Sequence, residues 1–266
     1  MIKRVCVVLI LALCIPAVGF SQITVMGSLT RSREAIPGEE YEGVIALKNS
    51  GEKTAQARVY LKDYIFKADG NTVYPEPGSL PRSNARWISL SASTAILAPG
   101  EVADIKYTLN IPSSDSLVGT YWSVIFIEGI PEEPEYEEGR EPTIAIKQVF
   151  RYGIQIVTDF PDGAEGDLEF TNTKIEKTEE GRFFTIDLNN SGILWLNGDI
   201  YMEVYSSSGE YINTLDGGKF RIYPGTSLRK SFGLGELAPG TWKALLIADG
   251  GGTLLFGGNY TLVIPE

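Results

Sequence analysis

Short runs of alternating apolar and polar residues, separated by turn-forming residues, fill most of this 266-residue chain. In the run that follows Pro99-Gly100, one face would carry Ala103, Ile105, Tyr107 and Leu109. A period of two indicates β-strands with one buried face, and no stretch has the spacing of an amphipathic helix. The chain is therefore predicted to be all β, with short strands stacked as a sandwich rather than a sheet covered by helices.

The chain also repeats itself. Three anchors recur in the same order: Leu47-Lys48-Asn49-Ser50-Gly51 as Leu188-Asn189-Asn190-Ser191-Gly192, Pro99-Gly100 as Pro224-Gly225, and Gly119-Thr120-Tyr121 as Gly240-Thr241-Trp242. Because order and approximate spacing are both kept, the anchors predict two copies of one module. Pro161-Asp162-Gly163 interrupts the pattern, so we expect domains at 22–157 and 166–266 joined by a linker at 158–165.

Residues 1–21 have the pattern of a cleaved signal peptide. Lys3 and Arg4 precede the apolar run 5–17, and Gly19-Phe20-Ser21 places small residues at a plausible cleavage site. The apolar run is shorter than a membrane-spanning helix requires. We therefore expect a protein exported to the periplasm or cell surface, with no membrane insertion of the mature chain.

Composition argues against catalysis. The chain has no histidine, and both cysteines, Cys6 and Cys14, lie in the segment expected to be removed. A mature chain of this kind lacks the commonest general base and every thiolate, so we expect no catalytic residue, no metal and no cofactor. Loss of Lys3 and Arg4 would take the formal charge from −11 to −13, which argues against nucleic acid as a partner.

The first half resembles the amino-terminal module of the periplasmic pilus-assembly chaperones. The segments that carry the resemblance are Ile36-Pro37-Gly38-Glu39, Arg86-Trp87-Ile88, Leu97-Ala98-Pro99-Gly100-Glu101, Val118-Gly119-Thr120-Tyr121-Trp122 and Arg151-Tyr152-Gly153. The chain is also similar to a broad group of two-domain secreted bacterial proteins. The resemblance implies two tandem immunoglobulin-like β-sandwiches. It also implies a chaperone or surface-assembly accessory factor that binds secreted or surface protein subunits.

In that family the last strand of the first domain pairs with a partner subunit through alternating apolar side chains. The equivalent strand here is expected at 143–157, and the partner-facing side chains would be Ile144, Ile146, Phe150, Tyr152, Ile154 and Ile156. Exposed edge strands are templates for another chain's strand. The alternative is that all six side chains pack in their own core, as strands of any sandwich do.

Basic residues in the family's cleft hold the partner's terminal carboxylate. On the opposite face of the expected strand, Lys147 and Arg151 are candidates for this anchor, and Arg31 and Arg33 are rivals. Arginine suits the task because its planar guanidinium can bind both carboxylate oxygens.

Two other features leave alternatives open. The acidic segment 132–141 is expected to be a solvated loop, because it lacks the ligand spacing of a calcium loop; ordering by a bound partner is a hypothesis. Trp122 and Trp242 are expected between the sheets of their sandwiches. Trp195 covers the end of the second sandwich or contributes to a binding surface. The alternative function is an adhesin-like or carbohydrate-binding module, with a carboxylate-pair glycoside hydrolase as a third possibility.

Overall fold

A computed structural model describes residues 23–131, 148–235 and 237–265. The expected signal segment and the acidic loop 132–141 lie outside these residues, as do Ile144, Ile146 and Lys147. The first part contains strands β1 (Ile23–Val25), β2 (Thr30–Glu34), β3 (Glu40–Asn49), β4 (Ala55–Lys62), β5 (Ile65–Phe66), β6 (Thr72–Val73), β7 (Ile88–Leu90), β8 (Thr94–Leu97), β9 (Val102–Asn110), β10 (Gly119–Ile130) and β11 (Arg151–Phe160), with a 3-10 helix at Ala85–Trp87. The second part contains β12 (Leu168–Thr178), β13 (Gly181–Asn190), β14 (Leu196–Tyr205), β15 (Tyr211–Ile222), β16 (Ser227–Gly233), β17 (Gly240–Asp249) and β18 (Leu255–Ile264).

These strands form two pairs of sheets. In the first domain the sheets have the order β1-β3-β9-β7 and β2-β11-β10-β4-β8, and β5 pairs with β6. In the second domain the orders are β12-β13-β16 and β15-β14-β17-β18. Each domain has its own apolar core, with Ile45, Leu97, Ile125 and Ile154 in the first and Ile186, Leu196, Met202 and Phe232 in the second. The prediction of an all-β chain of two tandem sandwiches is confirmed.

The repeated asparagine turn has the same hydrogen bonds in both domains. Asn49 and Asn190 are fully buried at the ends of β3 and β13. The Asn49 amide donates to the carbonyls of Lys53 (2.8 Å) and Leu97 (3.0 Å), and its Oδ1 accepts from Gly51 N–H (2.9 Å). The Asn190 amide does the same with Leu194 (2.8 Å), Ile222 (3.2 Å) and Gly192 (3.0 Å). The first of the repeated motifs therefore forms the same hydrogen-bonded turn in both domains.

The amino-terminal strand of the first domain is divided between its two sheets. β1 pairs antiparallel with β3, and β2 then crosses to the other sheet and pairs in parallel with residues 155–159 of β11. β11 itself continues through Val157, the expected end of the domain, to Phe160. β11 therefore lies between β10 and β2 over its second half, which decides how much of it can act as an edge.

Candidate functional site

The strand expected at 143–157 begins later in the structure. β11 starts at Arg151, and residues 148–150 lie outside any strand. Ile154 is fully buried in the first-domain core and Ile156 is 2% exposed. This corrects the expectation of partner-facing side chains at Ile154 and Ile156, which pack against the facing sheet as in the alternative interpretation. Phe150 and Tyr152 are half-buried.

In the first half of β11, the edge that faces away from β10 has no described strand beside it. The Gln155 N–H donates to the Leu29 carbonyl (2.8 Å) on the β2 side, whereas the Phe150 carbonyl accepts from Gly129 N–H (3.1 Å) on the β10 side. Because backbone groups alternate in direction along a strand, Arg151 and Gly153 turn their N–H and C=O groups away from β10. β2 pairs with β11 only from Gln155 onward. Among the described strands, none therefore pairs with the outward-facing backbone groups of Arg151 and Gly153.

The Arg151 side chain lies on the outer face of the sheet, over two aromatic rings. Its guanidinium carbon is 4.6 Å from the ring centre of Phe126 and 5.3 Å from that of Tyr74, and its side chain is 45% exposed. Rings in this position stabilise a cation without occupying its hydrogen-bond donors. The geometry holds Arg151 in place and leaves it able to bind an anion.

Among the described residues, the one carboxylate recorded in an ion pair with Arg151 is that of Glu128, and the contact is long. Glu128 accepts from Arg58 and from the Tyr60 hydroxyl, each at 2.7 Å, whereas its distance to Arg151 is 3.9 Å. Burial and the adjacent Glu128 carboxylate raise the pKa of Tyr60, so its hydroxyl stays protonated as a donor. Glu128 is thus satisfied mainly by its two other partners.

Arg31 and Arg33 lie on the other side of the same sheet. In the β2–β11 register they stand opposite Ile156 and Thr158, whose side chains face inward. They line a cavity of about 420 Å³ that also includes Tyr41 and Tyr107, and the Arg33 guanidinium lies 4.4 Å from the Tyr41 ring centre. The structure therefore separates Arg31 and Arg33 from Arg151, and these three candidates do not form one anchor.

An aromatic joint between the domains was not foreseen from the sequence. Trp122 and Tyr223 are buried there with Val157, and Tyr64, Phe66 and Trp195 pack around them. The Trp122 and Tyr223 rings stack at 4.9 Å with an interplanar angle of 9°, and Trp195 stacks on Tyr223 at 6.0 Å. The expectation that Trp122 packs between the sheets of its own sandwich is wrong, because it lies on the outer face. Trp195, for which the sequence allows two positions, belongs to the joint.

The repeated Gly-Thr turn of the first domain docks onto the repeated Asn turn of the second. The Thr120 N–H donates to the Ile193 carbonyl (2.8 Å), and the Trp195 N–H donates to the Thr120 hydroxyl (2.9 Å). Asp159 accepts from that hydroxyl, and burial raises the pKa of its carboxyl group. The two modules are joined through the motifs that they share.

The segment between β4 and β7 makes further hydrogen bonds to the second domain at the joint. The Lys67 ammonium donates to the Gly225 carbonyl (2.8 Å), and the Ala68 N–H donates to the Ser227 hydroxyl (3.0 Å). Asp63, fully buried, accepts from Gly78 N–H (3.0 Å) and fixes the return of this segment. The sequence carries one signal of this role. The segment between β4 and β7 is much longer than the tight 206–210 turn at the same place in the second domain.

The joint and the open edge are continuous. Tyr64 in the joint stacks on Tyr74 (5.5 Å), and Tyr74 meets Phe126 edge to face at 4.9 Å. Those last two rings are the ones beneath Arg151. The platform for Arg151 is thus built partly by the segment that holds the domains together.

The described residues contain neither a cluster of metal-binding side chains nor a membrane-spanning helix. Among the described residues, no three or more carboxylate, thiol or imidazole side chains come together in a way that could hold a metal ion. In the same part of the chain, no helix has the length and apolar character needed to cross a membrane.

Several solved structures are similar to this chain. They include a chaperone–tip adhesin complex of CFA/I fimbriae biogenesis, at 14% identity, covering 92% of this chain and 100% of that one with a TM-score of 0.48. The YadV chaperone has 14% identity, covers 91% and 100%, and has a TM-score of 0.45. A CsuC–CsuE chaperone–tip subunit complex from the Csu pili of Acinetobacter baumannii has 12% identity, covers 88% and 97%, and has a TM-score of 0.45. The chain resembles pilus-assembly chaperones; no family model and no curated protein matches its sequence.

Proposed function

We propose that this chain is an exported, non-catalytic protein that binds other polypeptides by strand pairing at the open stretch of β11. A periplasmic chaperone or a surface-assembly accessory factor is the role that the sequence resemblance implies. The observation that carries the proposal is that no described strand pairs with the outward-facing backbone of Arg151 and Gly153, next to the half of β11 that pairs with β2.

The open stretch favours an extended polypeptide as ligand. Backbone hydrogen bonds to a sheet edge supply affinity for any strand, and flanking side chains set its register. Phe150 and Tyr152, both half-buried, would supply apolar contacts beside the edge. Ile144 and Ile146 would extend this apolar set and stay part of the proposal.

Arg151 favours a partner with a carboxylate. Its guanidinium is fixed by the Phe126 and Tyr74 rings, and its distance to Glu128 is 3.9 Å. A fixed, incompletely paired guanidinium binds a carboxylate through two parallel hydrogen bonds. Arg151 is therefore the preferred anchor among the described candidates, and Lys147 remains a second candidate.

Synthetic peptides test both parts of the proposal. A peptide of alternating apolar and hydroxyl residues, made with a free terminal carboxylate or an amide, is titrated against the protein by fluorescence anisotropy. The Arg151→Gln variant is expected to bind the carboxylate peptide roughly tenfold more weakly and the amide peptide unchanged. Lys106→Gln is the matched control, since Lys106 is exposed on β9 in the other sheet of the first domain, and it should bind both peptides as the unmodified protein does.

The strand-pairing step has its own variants. Gly153→Pro removes an edge N–H that no described strand uses and should abolish binding of both peptides. Phe150→Asp places a charge beside the edge and should weaken both peptides equally. Circular dichroism and thermal unfolding check that the sandwich is retained. Absence of peptide binding by the unmodified protein, or equal losses for Lys106→Gln and Arg151→Gln, would count against the proposal.

A further inference from the structure

β18 forms one outer edge of the second domain, and its composition sets it apart. It runs over ten residues, Leu255–Ile264, and none of them is charged. Proteins protect exposed edges with charges, prolines, bulges or short strands, because an unprotected edge pairs with another strand. β18 has none of these protections.

Apart from the short open stretch of β11 and the two-residue strands β5 and β6, the other edges of the described sheets are protected. β12 carries Lys and Glu side chains and an irregularity between Thr171 and Lys174, and β15 carries charges and two register shifts. β2 and β16 each contain two basic residues, and β1, β7 and β8 have three or four residues each. Among the described edges, β18 alone combines length, regular register and lack of charge.

The free backbone groups of β18 belong to its odd-numbered residues. At the preceding turn the Gly250 N–H donates to the Leu254 carbonyl (2.8 Å), so even-numbered residues face β17. The β17–β18 register continues from Asp249–Leu255 to Gly240–Ile264 without a shift. Gly257, Asn259, Thr261 and Val263 therefore direct N–H and C=O groups outward.

The side chains of this edge match a second copy of the strand. Leu255 and Val263, at its two ends, are 67% and 63% exposed. In an antiparallel pair centred on Asn259, Leu255 lies opposite Val263 of the other copy and Gly257 lies opposite Thr261. This register covers both exposed apolar side chains and uses the whole edge.

We propose that β18 is a self-association edge, through which two copies of this chain pair antiparallel about a two-fold axis at Asn259. Such an interface is isologous, since the same strand serves on both sides. With a formal charge of −11, two copies of the chain repel each other, and an uncharged strand is a suitable place for them to meet. The joined sheets would be continuous across the pair. The inference is independent of peptide binding at β11.

Sedimentation analysis over a micromolar to millimolar concentration series tests this inference. The unmodified protein should form a dimer, and Asn259→Lys should raise the dissociation constant roughly tenfold or more, because two lysines would face each other at the axis. Asn213→Lys is the matched control, since Asn213 is exposed on β15, the opposite edge of the same sheet. It should leave the dimer unchanged.

A charge-reversal pair makes the register testable. Asn259→Lys and Asn259→Asp should each dimerise at least roughly tenfold more weakly when alone, and mixing them should restore a dimer of one copy of each. A monomer at every concentration of the unmodified protein would overturn the inference. The inference would also be overturned if Asn259→Lys left the dissociation constant unchanged, or if the mixture of the two variants failed to associate. Peptide binding at β11 should be the same in all these variants, so the two proposals can fail separately.

Discussion

The two domains share their turns but differ in what covers their sheets. Asn49 and Asn190 make the same three hydrogen bonds, and Gly100 and Gly225 each donate to the carbonyl of their asparagine at 3.0 and 2.9 Å. On the outer face, however, the position after the Gly-Thr-aromatic motif is Trp122 in the first domain and Lys243 in the second. Trp122 is 4% exposed beneath the second domain, whereas Lys243 lies on an uncovered sheet face. The repeat therefore fixes the sandwich, and the residues between its anchors decide how it is used.

The largest difference in the free energy of unfolding is expected between substitutions at Trp122 and at Lys243. Trp122→Ala should reduce the free energy of unfolding by about 3–5 kcal/mol, because it removes a buried ring and the hydrogen bond from its Nε1 to the Tyr64 carbonyl. Lys243→Ala should change it by about 0.5 kcal/mol or less. Denaturant unfolding measures both. Similar losses would show that the joint contributes no more than an open sheet face.

The second-largest difference in stability is expected between substitutions at the equivalent glycines Gly119 and Gly240. Gly119 has φ of 77°, and a Cβ there would lie 2.3 Å from the Ile193 carbonyl oxygen across the joint. Gly240 has φ of 146° and no atom within 4 Å of such a Cβ. Gly119→Ala should cost about 3 kcal/mol, from strain plus crowding, and Gly240→Ala about 1 kcal/mol, from strain alone. Equal values from thermal unfolding would mean that the joint adapts to the extra methyl group.

The paired asparagines should instead behave alike. Asn49→Ala and Asn190→Ala each remove a buried amide and leave backbone groups without partners, so each should cost about 2 kcal/mol. Denaturant unfolding of each variant against the unmodified chain provides the measurement. A loss confined to one of the two would break the structural equivalence of the repeats.

Two aspartates should give the smallest effect and opposite pH dependences. Burial raises the pKa of Asp159 in the joint, whereas hydrogen bonds from Arg229 lower the pKa of Asp187 in the second domain. The raised pKa means that stability from Asp159 is present in acid and is lost as the pH rises through that pKa. The lowered pKa means that stability from Asp187 is present at neutral pH and is lost as the pH falls through that pKa.

Variants separate the two contributions. Asp159→Asn should gain stability relative to the unmodified chain as the pH rises above the ordinary aspartate range, by on the order of 1 kcal/mol for each unit of pKa change. Asp187→Asn should be less stable at neutral pH, with a gap that narrows in acid. Thermal unfolding from acid to neutral pH measures both. Parallel curves for the two variants would contradict the assignment.

The sequence was enough to predict which residues belong to the candidate site, but not how they are arranged. Alternation placed Tyr152, Ile154 and Ile156 on one face and Arg151 on the other, as the structure has them. It could not show that Ile154 and Ile156 are buried in their own core or that β2 closes the second half of β11. Period-two patterning reports that a face is covered, and it carries no information on which element covers it.

Local patterns along the chain were enough to predict the β-strands, their turns and the presence of two similar modules, because these depend on residues close together along the chain. Only the folded structure shows that Trp122 meets Tyr223, that Arg31 and Arg33 face away from Arg151, and that no described strand other than β10 pairs with the first half of β11. Those outcomes depend on contacts between residues far apart in sequence. Many side chains could satisfy such contacts equally well, so a local pattern does not specify them.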